Sequence, residues 1–463
     1  MPQPPNIVFF FTDDQRFDTI AALGNEHIIT PTLDSLVRDG VTFTSAYIMG
    51  GTSGAVCMPS RAMLHTGRTL FHIEVQGQAI PTDHTTMGEC FQQAGYETFG
   101  TGKWHNGTES YARSFTAGAE IFFGGMDDHW NVPAHDFDPD GKYESRLPRC
   151  KDAYYSNELE HRHADHITAG KHSSELFAEA TVDFLKSRDD ERPFFAYVSF
   201  MAPHDPRTMP KQYLDMYDPA DIPLPESFMP RHPFDNGDLK TRDERLEAWP
   251  RTPDAIRRHI AEYYAMITHA DAEIGKVIDT LKQTGQYENT IIVFAGDNGL
   301  ALGKHGLMGK QSIYEHSVHV PLVMAGPGVP KGERTGAFCY LIDIFPTLCE
   351  LTRTPIPSTV EGQTLVPAMR DADEMIRDTL ILAYTHIHRG ARDKRWKLIE
   401  YAVGGVRTTQ LFDLENDPHE LTNLADDPAR GEQVERLRGE VARWRDEMGD
   451  TCDDFWEVVS IPG

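Results

Sequence analysis

The stretch Asn6-Ile-Val-Phe-Phe-Phe-Thr12, followed directly by Asp13-Asp14-Gln15-Arg16, decides the fold of this chain. A short apolar run rich in β-branched and aromatic residues is typical of a strand buried on both faces of a parallel sheet. Further runs of this kind follow at residues 97–101, 194–200, 291–295 and 321–325. Since helical patterns lie between them, we expect an α/β protein with a large mixed, mostly parallel sheet sandwiched by helices.

The spacing of apolar residues predicts helices over residues 32–39, 174–186 and 255–284. Beyond about residue 370, short strand-like runs at 379–384, 396–401 and 410–413 precede a charged helix over residues 431–448. We therefore expect a catalytic domain over residues 1–370 and a smaller C-terminal subdomain of antiparallel sheet plus helix over residues 371–463. Two segments without clear periodicity, residues 106–168 and 205–252, are predicted to be loops over the functional site.

The charge of the chain limits its partners. It has 463 residues, with 71 acidic against 44 basic side chains and a formal charge of −27. Nucleic acids and anionic membranes would be repelled by such a protein, so we expect neither as a partner. A small anionic substrate would need a pocket whose local charge is positive. The sequence leaves the oligomeric state open.

The amino-terminal residues show no secretory signal. Residues 1–5 carry no basic region or cleavage site, and the apolar run that follows is too short to cross a bilayer. We therefore expect a cytoplasmic protein, or a periplasmic or secreted one if a signal has been trimmed. The six cysteines form no CxxC pair, which indicates reduced thiols rather than a disulfide framework or a metal ribbon.

Two acidic clusters follow predicted strands. Asp13 and Asp14 follow the first strand, and Asp297 and Asn298 follow the strand predicted at residues 291–295. Because ligands gather beyond the carboxyl ends of strands in open α/β sheets, we expect the two clusters to face each other. Three carboxylates and an amide form an all-oxygen set that suits Ca²⁺, with Mg²⁺ as an alternative, better than zinc or copper. Either motif by itself would be ordinary turn chemistry.

The segment Gly54-Ala-Val-Cys57-Met-Pro59-Ser-Arg61 places a cysteine at the start of a predicted helix. Pro59 fits the first turn of that helix, so Cys57 would lie at its amino end, where free N–H groups favour negative charge. Arg61, four residues on, would lie one turn along the same face. Taken alone, Cys57 would be interpreted as a buried thiol at a helix start.

The motif Cys-x-Pro-Ser-Arg at residues 57–61, followed by Thr-Gly-Arg at 66–68, resembles the signature of the type I, formylglycine-dependent sulfatases of the alkaline phosphatase superfamily. Further blocks are similar to that family in order and spacing, at residues 100–105, 202–206, 302–310 and 410–424. The resemblance therefore covers most of the chain. Two positions vary: His319-Val320 stands where the family usually carries Arg-Val, and Asp297-Asn298 is one of two common variants, the other being Asp-His.

The resemblance implies an alkaline-phosphatase-like fold and the hydrolysis of sulfate monoesters. In the family the cysteine is oxidised to formylglycine, whose hydrate attacks sulfur through one hydroxyl and expels sulfate when the other is deprotonated. The cation would polarise sulfate oxygens and activate the attacking hydroxyl. Its ligands would be the four residues Asp13, Asp14, Asp297 and Asn298.

The resemblance also implies roles for the side chains around Cys57. Arg61 would hold the hydrate, and Lys103 and Lys310 would bind sulfate oxygens. His105 would be the base that collapses the sulfated intermediate, and His204 or Lys310 would be the acid for the departing oxygen. A lone lysine or histidine is more often structural or solvated, so these residues are chosen by their motifs.

Other residues are further candidates. His305 lies in the block at residues 302–310. The stretch His161-Arg-His163-Ala-Asp-His166 does not match a structural zinc spacing, and we interpret it as a solvated or substrate-facing loop. Tyr384, His386 and His388 end a predicted strand and are candidates for the pocket rim, with edge-strand polarity as the alternative.

Several functions stay open at this point. The expected substrate is an O-sulfated carbohydrate, with aryl and choline sulfates as alternatives. A phosphonate or phosphate monoester hydrolase of the same superfamily would use the same aldehyde, whereas a two-zinc phosphatase is disfavoured because no second Asp/His ligand set is found. A non-catalytic protein that binds sulfated sugars would result if Cys57 stays unmodified. The expected partners are the sulfate ester and a formylglycine-generating maturation enzyme.

Overall fold

The computed structural model describes residues 4–152, 154–189 and 191–459. Its strands, in chain order, are β1 (Asn6–Thr12), β2 (Gly40–Phe43), β3 (Ala46–Tyr47), β4 (Gly50–Gly51), β5 (Glu97–Lys103), β6 (Ala117–Phe122), β7 (Pro133–Ala134), β8 (Arg146–Cys150), β9 (Leu159–His163), β10 (His166–Ile167), β11 (Phe194–Ser199), β12 (Thr290–Gly296), β13 (Leu322–Ala325), β14 (Glu333–Thr335), β15 (Cys339–Tyr340), β16 (Leu380–Tyr384), β17 (His388–Arg392), β18 (Trp396–Val403) and β19 (Val406–Asp413).

The helices in the same ranges are α1 (Pro31–Asp39), α2 (Cys57–Thr66), α3 (Met87–Gln93), α4 (Thr108–Ser114), α5 (Ser173–Ser187), α6 (Lys211–Leu214), α7 (Pro253–Gln283), α8 (Glu315–Val318), α9 (Ile344–Thr352), α10 (Val366–Arg370), α11 (Gly431–Met448) and α12 (Asp453–Val459). The helices predicted at residues 32–39, 174–186, 255–284 and 431–448 are confirmed to within two residues at each end. Helix α7 begins where the sequence signals a start, because Pro253 follows Thr252, whose side chain accepts a hydrogen bond from the Ala255 amide.

The main sheet has the strand order β14-β2-β13-β12-β1-β11-β5-β6. Strand β1 lies near its centre and pairs in parallel with both β11 and β12. Strand β13 runs antiparallel to β12 and to β2, whereas the remaining neighbours in the sheet are parallel. The expected large, mixed and mostly parallel sheet is confirmed.

Alternate residues of β1 pack into different cores, because successive side chains in a strand point to opposite faces. Phe9 and Phe11 join the cluster that contains residues of α2, α3 and α9. Val8 and Phe10 join the cluster that contains residues of α1, α5 and α7. Both faces of the sheet are therefore covered by helices, and β1 is apolar throughout for that reason.

The two segments predicted to be loops contain more regular structure than expected. Residues 106–168 include α4 and β6, and β6 is the edge strand of the main sheet. The sequence signal of β6 was weak because its first four residues are only half-buried and small, Ala-Gly-Ala-Glu. Residues 205–252 contain α6 and two short 3₁₀ turns, and the rest is irregular.

The C-terminal part contains an antiparallel ladder of β16 to β19, covered by α11 and α12. The expected antiparallel sheet with a covering helix is confirmed. Strand β17 was missed because its sequence, His-Arg-Gly-Ala-Arg, carries almost no apolar signal. Strand β4 pairs in parallel with β16 and so joins the N-terminal half to this sheet. The division at residues 370 and 371 stays a prediction. No helix in the described ranges is both long and apolar enough to cross a lipid bilayer.

Truncation of Phe10 tests the sandwich arrangement. Its side chain is fully buried in the helix-covered core, so Phe10→Ala is expected to lower the free energy of unfolding by about 3–5 kcal/mol. Denaturant titration followed by circular dichroism measures the change. Tyr154→Ala is the matched control, because Tyr154 is 93% exposed and its loss is expected to change stability by less than about 0.5 kcal/mol. Equal effects of the two substitutions would contradict the buried position of β1.

Candidate active site

The predicted site residues meet at the carboxyl-terminal edge of the main sheet. Thr12 pairs with Gly296, so the residues that follow β1 and β12 emerge side by side. The amide of Asp14 donates a hydrogen bond to Asp297 Oδ1 at 3.0 Å. Strand β5, which is separated from β1 by β11, ends in Lys103. The topology therefore brings the two acidic clusters together, as the position of both motifs after parallel strands predicted.

Helix α2 delivers Cys57 and Arg61 to this edge. Cys57 is the first residue of the helix, and the Ser60 hydroxyl donates to the carbonyl of Asp297 at 2.6 Å. The Arg61 guanidinium is fully buried and contacts Asp297 Oδ2 at 2.9 Å through both Nε and Nη2. It also donates to the Ser199 hydroxyl at 2.6 Å. Arg61 thus ties the helix to β11 and β12, and its charge is paired as a buried guanidinium requires.

Two buried lysines pair with the first acidic cluster. Lys103 Nζ donates to Asp13 Oδ2 in a very short contact, and Lys310 Nζ donates to Asp14 Oδ1 at 2.5 Å. The Asn298 amide donates to the same Asp14 oxygen at 2.7 Å. Three carboxylates and the three cationic side chains of Arg61, Lys103 and Lys310 therefore lie together away from water.

The remaining oxygen atoms fit a hard cation. Asp13 Oδ1 and Asn298 Oδ1 are buried and have no hydrogen-bond partner among the described residues. Leaving such atoms without a partner costs free energy, so a ligand at this point is expected. Oxygen atoms of carboxylates and amides are the ligands that Ca²⁺ and Mg²⁺ prefer. Ligand atoms of Asp13, Asp14 and His204 also lie within 4.8 Å of one another.

Cys57 lies inside this charged cluster. Its Sγ is 3.4 Å from Lys103 Nζ and 3.5 Å from His105 Nδ1. Burial raises the pKa of the Cys57 thiol and outweighs the opposing effect of Lys103 and Lys310, while the carboxylates of Asp13 and Asp297 add a smaller effect in the same direction as burial. The thiol is therefore neutral at physiological pH, unlike the thiolate of a cysteine nucleophile.

Two site residues adopt left-handed backbone conformations that are unusual for side chains other than glycine. Asp14 has a φ of 66° and His105 a φ of 71°. Gly102 has a φ of 81°, and a Cβ atom there would lie 1.9 Å from the carbonyl oxygen of Ser199. Any side chain at position 102 would clash with the backbone of β11, so only glycine fits there. Strain of about 1–3 kcal/mol per residue is characteristic of functional sites, where the surrounding contacts maintain it.

His204 approaches the cluster from the segment after β11. Its Nδ1 lies 2.8 Å from the carbonyl oxygen of Asp205, and its Nε2 lies 3.7 Å from Asp14 Oδ2. Both ring nitrogens therefore face acceptor oxygens. Arg242 pairs with the Asp205 carboxylate and so fixes the backbone beside His204.

The electrostatic environment shifts the pKa values of Asp13 and Asp297 in opposite directions. Burial alone would raise the pKa of Asp13, but Lys103 and the other cations outweigh it and hold that pKa far below its usual range. For Asp297, burial and the negative charge of Asp13 raise the pKa to about 7, despite the opposing effect of Arg61. Burial would lower the pKa of Lys310, but Asp14 and its other negatively charged neighbours together outweigh burial and raise that pKa, so the ammonium stays charged.

The structure places the further candidates differently. The ring of His305 stacks on Tyr314 at 4.2 Å, and its Nε2 lies 3.9 Å from Glu420, so the described contacts of His305 do not join it to the acidic cluster. The rings of His161, His163 and His166 have no common ligand point among the described residues. His319, the residue that departs from the family pattern, stacks between Phe17 and Tyr47 at 4.1 and 4.7 Å.

The three candidates for the pocket rim have different surroundings, and Tyr384 is fully buried. The Tyr384 hydroxyl donates to the carboxylate of Asp238, which belongs to the irregular segment of residues 205–252. His388 is buried, and its Nε2 lies 2.7 Å from the Asn236 carbonyl, where it supports the same segment. His386 is exposed. The prediction that residues 205–252 lie over the site fits these contacts.

Sequence reasoning missed the residues that orient Lys310. Gln311 accepts a hydrogen bond from the Lys310 amide at 3.0 Å and donates to Asp243 at 2.7 Å. Glu244 accepts hydrogen bonds from the amides of Met308 and Gly309 at about 2.9 Å. Gln311 directly follows the family-like block at residues 302–310, so its position next to Lys310 could have indicated its role. Asp243 and Glu244 lie in an irregular segment whose path the sequence does not specify.

Comparison with known proteins identifies the family. Residues 5–354 match the family described as Sulfatase. The chain belongs to the sulfatase family. Residues 303–447 of this sulfatase also match the C-terminal region described for N-sulphoglucosamine sulphohydrolase. Membership of the family makes the chain a sulfuric ester hydrolase, which confirms the resemblance drawn from the motifs.

Similar proteins cover nearly the whole sulfatase chain. An arylsulfatase of Clostridium perfringens is 30% identical over 94% of this chain and 93% of its own length. An N-acetylglucosamine-6-O-sulfatase of Bacteroides thetaiotaomicron is 24% identical over 99% and 89%, respectively. The solved structure of a phosphonate monoester hydrolase of Silicibacter pomeroyi superposes with a TM-score of 0.73 at 24% identity, covering 97% of this chain and 96% of that chain. This likeness confirms the alkaline-phosphatase-like fold.

The raised pKa of Asp297 predicts how cation binding by the sulfatase depends on pH. Without a cation, the Asp297 carboxyl keeps a proton up to about pH 7. A cation must displace that proton, so Ca²⁺ affinity is expected to fall as the pH drops below 7, with proton release at pH 6.5 and little at pH 9. Calorimetric titration with Ca²⁺ in buffers of different ionisation enthalpy measures both quantities.

Asp297→Asn provides the control, because an amide has no proton to lose. The variant is expected to bind Ca²⁺ more weakly and without proton release. Wild-type affinity that does not change between pH 6.5 and 9 would contradict the account.

Proposed function

We propose that this sulfatase removes sulfate from an O-sulfated carbohydrate, with a formylglycine made from Cys57 as nucleophile and Ca²⁺ at the acidic cluster. One observation carries the proposal. The side chain of Cys57 lies between Lys103 and His105, and its Sγ lies within 4.8 Å of carboxylate oxygens of Asp13 and Asp297. This arrangement combines a reacting atom, a proton acceptor and anion-binding groups within hydrogen-bond reach of one another.

The environment of Cys57 favours conversion of the thiol over direct use of it. A cysteine nucleophile needs a lowered pKa, whereas burial raises the pKa of Cys57. In the structure Sγ occupies the position that the oxygen atoms of a hydrated aldehyde would take after oxidation. The hydrate supplies one hydroxyl to attack sulfur and a second whose deprotonation releases sulfate. The maturation enzyme that makes the aldehyde is the expected partner.

The cation would be held by the unpartnered oxygens Asp13 Oδ1 and Asn298 Oδ1 together with the carboxylates of Asp14 and Asp297. When bound, Ca²⁺ supplies Lewis acidity to a sulfate oxygen and lowers the pKa of the attacking hydroxyl. Once the cation has displaced the Asp297 proton, the three carboxylates balance Arg61, Lys103 and Lys310 in charge. A divalent cation therefore makes the pocket locally positive, which a chain of net charge −27 needs in order to bind an anionic ester.

The two lysines bind and orient the sulfate group. Lys103 Nζ reaches Cys57 Sγ at 3.4 Å, and Lys310 Nζ contacts Asp14 at 2.5 Å on the cation side. Both are buried and already paired, so their ammonium groups are fixed before the substrate arrives. Fixed cations stabilise charge that develops on the sulfate oxygens, and each such group contributes several kcal/mol to lowering the barrier.

The two histidines handle protons on opposite sides of the reacting group. Burial, together with the neighbouring cations Lys103 and Arg61, lowers the pKa of His105 well below its usual value. Its neutral ring, 3.5 Å from Cys57 Sγ, therefore accepts a proton from the second hydroxyl. His204, whose ring faces Asp14 and Asp205, delivers a proton to the leaving alcohol, and Lys310 is the alternative acid.

A carbohydrate ester is the favoured substrate class. The relative from Bacteroides thetaiotaomicron acts on N-acetylglucosamine 6-O-sulfate by its name, and the irregular segment of residues 205–252 gives this chain a polar rim over the site. Aryl and choline sulfates are the alternative esters. The likeness to a phosphonate monoester hydrolase supplies the second candidate reaction, and an unmodified Cys57 would leave a protein that only binds sulfated sugars.

Maturation of Cys57 is expected to switch on sulfate ester hydrolysis. Protein made together with a formylglycine-generating enzyme should carry an aldehyde at position 57, detected by mass spectrometry of that peptide. It should also hydrolyse defined sulfated saccharides. Cys57→Ala is expected to lower kcat/KM by about 10⁴-fold or more, since the nucleophile is lost.

The exposed Cys150 gives a matched control, because Cys150→Ala removes a thiol whose described contact is with Ser156 and not with the acidic cluster, and it should leave the rate unchanged. Parallel assays with aryl phosphonates and phosphates distinguish the second candidate. A higher kcat/KM on phosphonate than on every sulfate ester would contradict the proposed substrate. An active protein whose Cys57 is still a thiol would contradict the proposed nucleophile.

A further inference from the structure

A second group of metal-ligating side chains lies outside the active site, where helix α5 packs against helix α7. It consists of Glu175 from the first turn of α5 and of His269 and Glu273, four residues apart on α7. One ligand atom from each of the three lies within 4.8 Å of the other two. His269 Nε2 is 3.7 Å from Glu175 Oε1 and 3.5 Å from Glu273 Oε1.

Three buried polar atoms of this group have no hydrogen-bond partner among the described residues. His269 is fully buried, and neither of its ring nitrogens has a hydrogen-bond partner among the described residues. Glu273 is 1% exposed, and its Oε2 is also without a partner. A buried imidazole that makes no hydrogen bond costs about 1–3 kcal/mol, so such a group calls for a ligand.

We propose that Glu175, His269 and Glu273 bind a divalent cation of the zinc type. One imidazole nitrogen and two carboxylate oxygens are a donor set that Zn²⁺ accepts, whereas Ca²⁺ takes oxygen ligands. Ligand atoms on a tetrahedral zinc ion are about 3.3 Å apart, for bonds of about 2.0–2.1 Å. The two nitrogen-to-oxygen distances, 3.7 and 3.5 Å, therefore need only a small contraction. The Glu175 side chain is 31% exposed, so water completes the coordination from the solvent side.

Lys276 is the competitor for this site. Its Nζ lies 2.7 Å from Glu273 Oε1, the same oxygen that faces His269. The Lys276 side chain is 56% exposed and has a free path to solvent, so a cation can displace it from the carboxylate. The other neighbours of the His269 ring are aromatic, namely Tyr213 at 4.7 Å and His172 at 4.6 Å between centroids.

An ion at this site would link helix α5 to helix α7, because Glu175 lies on α5 and both His269 and Glu273 lie on α7. His172 is the N-cap of α5, and its ring stacks on His129 at 5.1 Å. His129 Nε2 donates a hydrogen bond to the carbonyl of His204 at 2.9 Å. Burial lowers the pKa of His129 to about 4, so its ring is neutral. The ion would therefore hold in place the residues on which the His204 backbone rests.

Zinc titration of the full, untagged chain tests the proposal. The protein is treated with a chelator and saturated with Ca²⁺, which fills the all-oxygen site, before Zn²⁺ or Co²⁺ is added. We expect one Zn²⁺ per chain, a tetrahedral Co²⁺ spectrum and a rise in Tm on zinc binding. Glu175→Gln, which keeps shape at a partly exposed position, and His269→Gln should each raise the Kd for zinc by about 10-fold or more.

Two further variants separate a metal site from an ion-pair network. Lys276→Gln should lower the zinc Kd several-fold, because it frees a ligand oxygen, whereas an ion-pair role predicts only a loss of stability. His259→Gln is the matched control on α7: His259 also faces two glutamates, but Glu247 lies at Nε2 and Glu262 at Nδ1, so they cannot share one ion. No zinc uptake by the wild type, or uptake unchanged by Glu175→Gln and His269→Gln, would overturn the proposal.

Discussion

The rest of the site depends on the mutual neutralisation of three carboxylates and three cationic side chains at the buried edge of the main sheet. Each of these charges alone would cost several kcal/mol to bury, and removal of one partner leaves another uncompensated. Arg61 is central, because it contacts Asp297 and Ser199 and so joins helix α2 to two strands. The fold supplies the positions through β1, β5, β11 and β12, whose carboxyl ends lie side by side.

This pairing of buried charges explains the properties of the individual functional groups. The ion pairs fix the positions of Lys103 and Lys310, yet among the described residues they leave Asp13 Oδ1 and Asn298 Oδ1 without hydrogen-bond partners. The same burial keeps the Cys57 thiol neutral and His105 unprotonated. A sulfatase that works through an aldehyde needs this combination, because the nucleophile comes from oxidation and not from a lowered thiol pKa. The left-handed backbone of Asp14 and His105 is consistent with geometry maintained for function.

Much of this arrangement could be predicted from sequence, for identifiable reasons. The strands of the sheet centre are continuous apolar runs, and the acidic clusters follow two of them directly, so the meeting of Asp13 with Asp297 follows from parallel topology. The edge strand β6 and strand β17 were missed, because small or polar residues gave no periodic signal. The roles of Asp243 and Gln311 depend on the path of an irregular segment, which local sequence does not specify. The Glu175–His269 contact joins two helices that were predicted only from the spacing of their apolar residues.

The most direct measurement of the central claim is a high-resolution crystal structure of the matured, calcium-loaded protein, with anomalous diffraction to locate the cation. We expect one calcium within bonding distance of Asp13, Asp14, Asp297 and Asn298, and an aldehyde or its hydrate at position 57 between Lys103 and His105. A cation bound elsewhere, or a cysteine thiol retained at position 57 in protein that hydrolyses sulfate esters, would contradict this expectation.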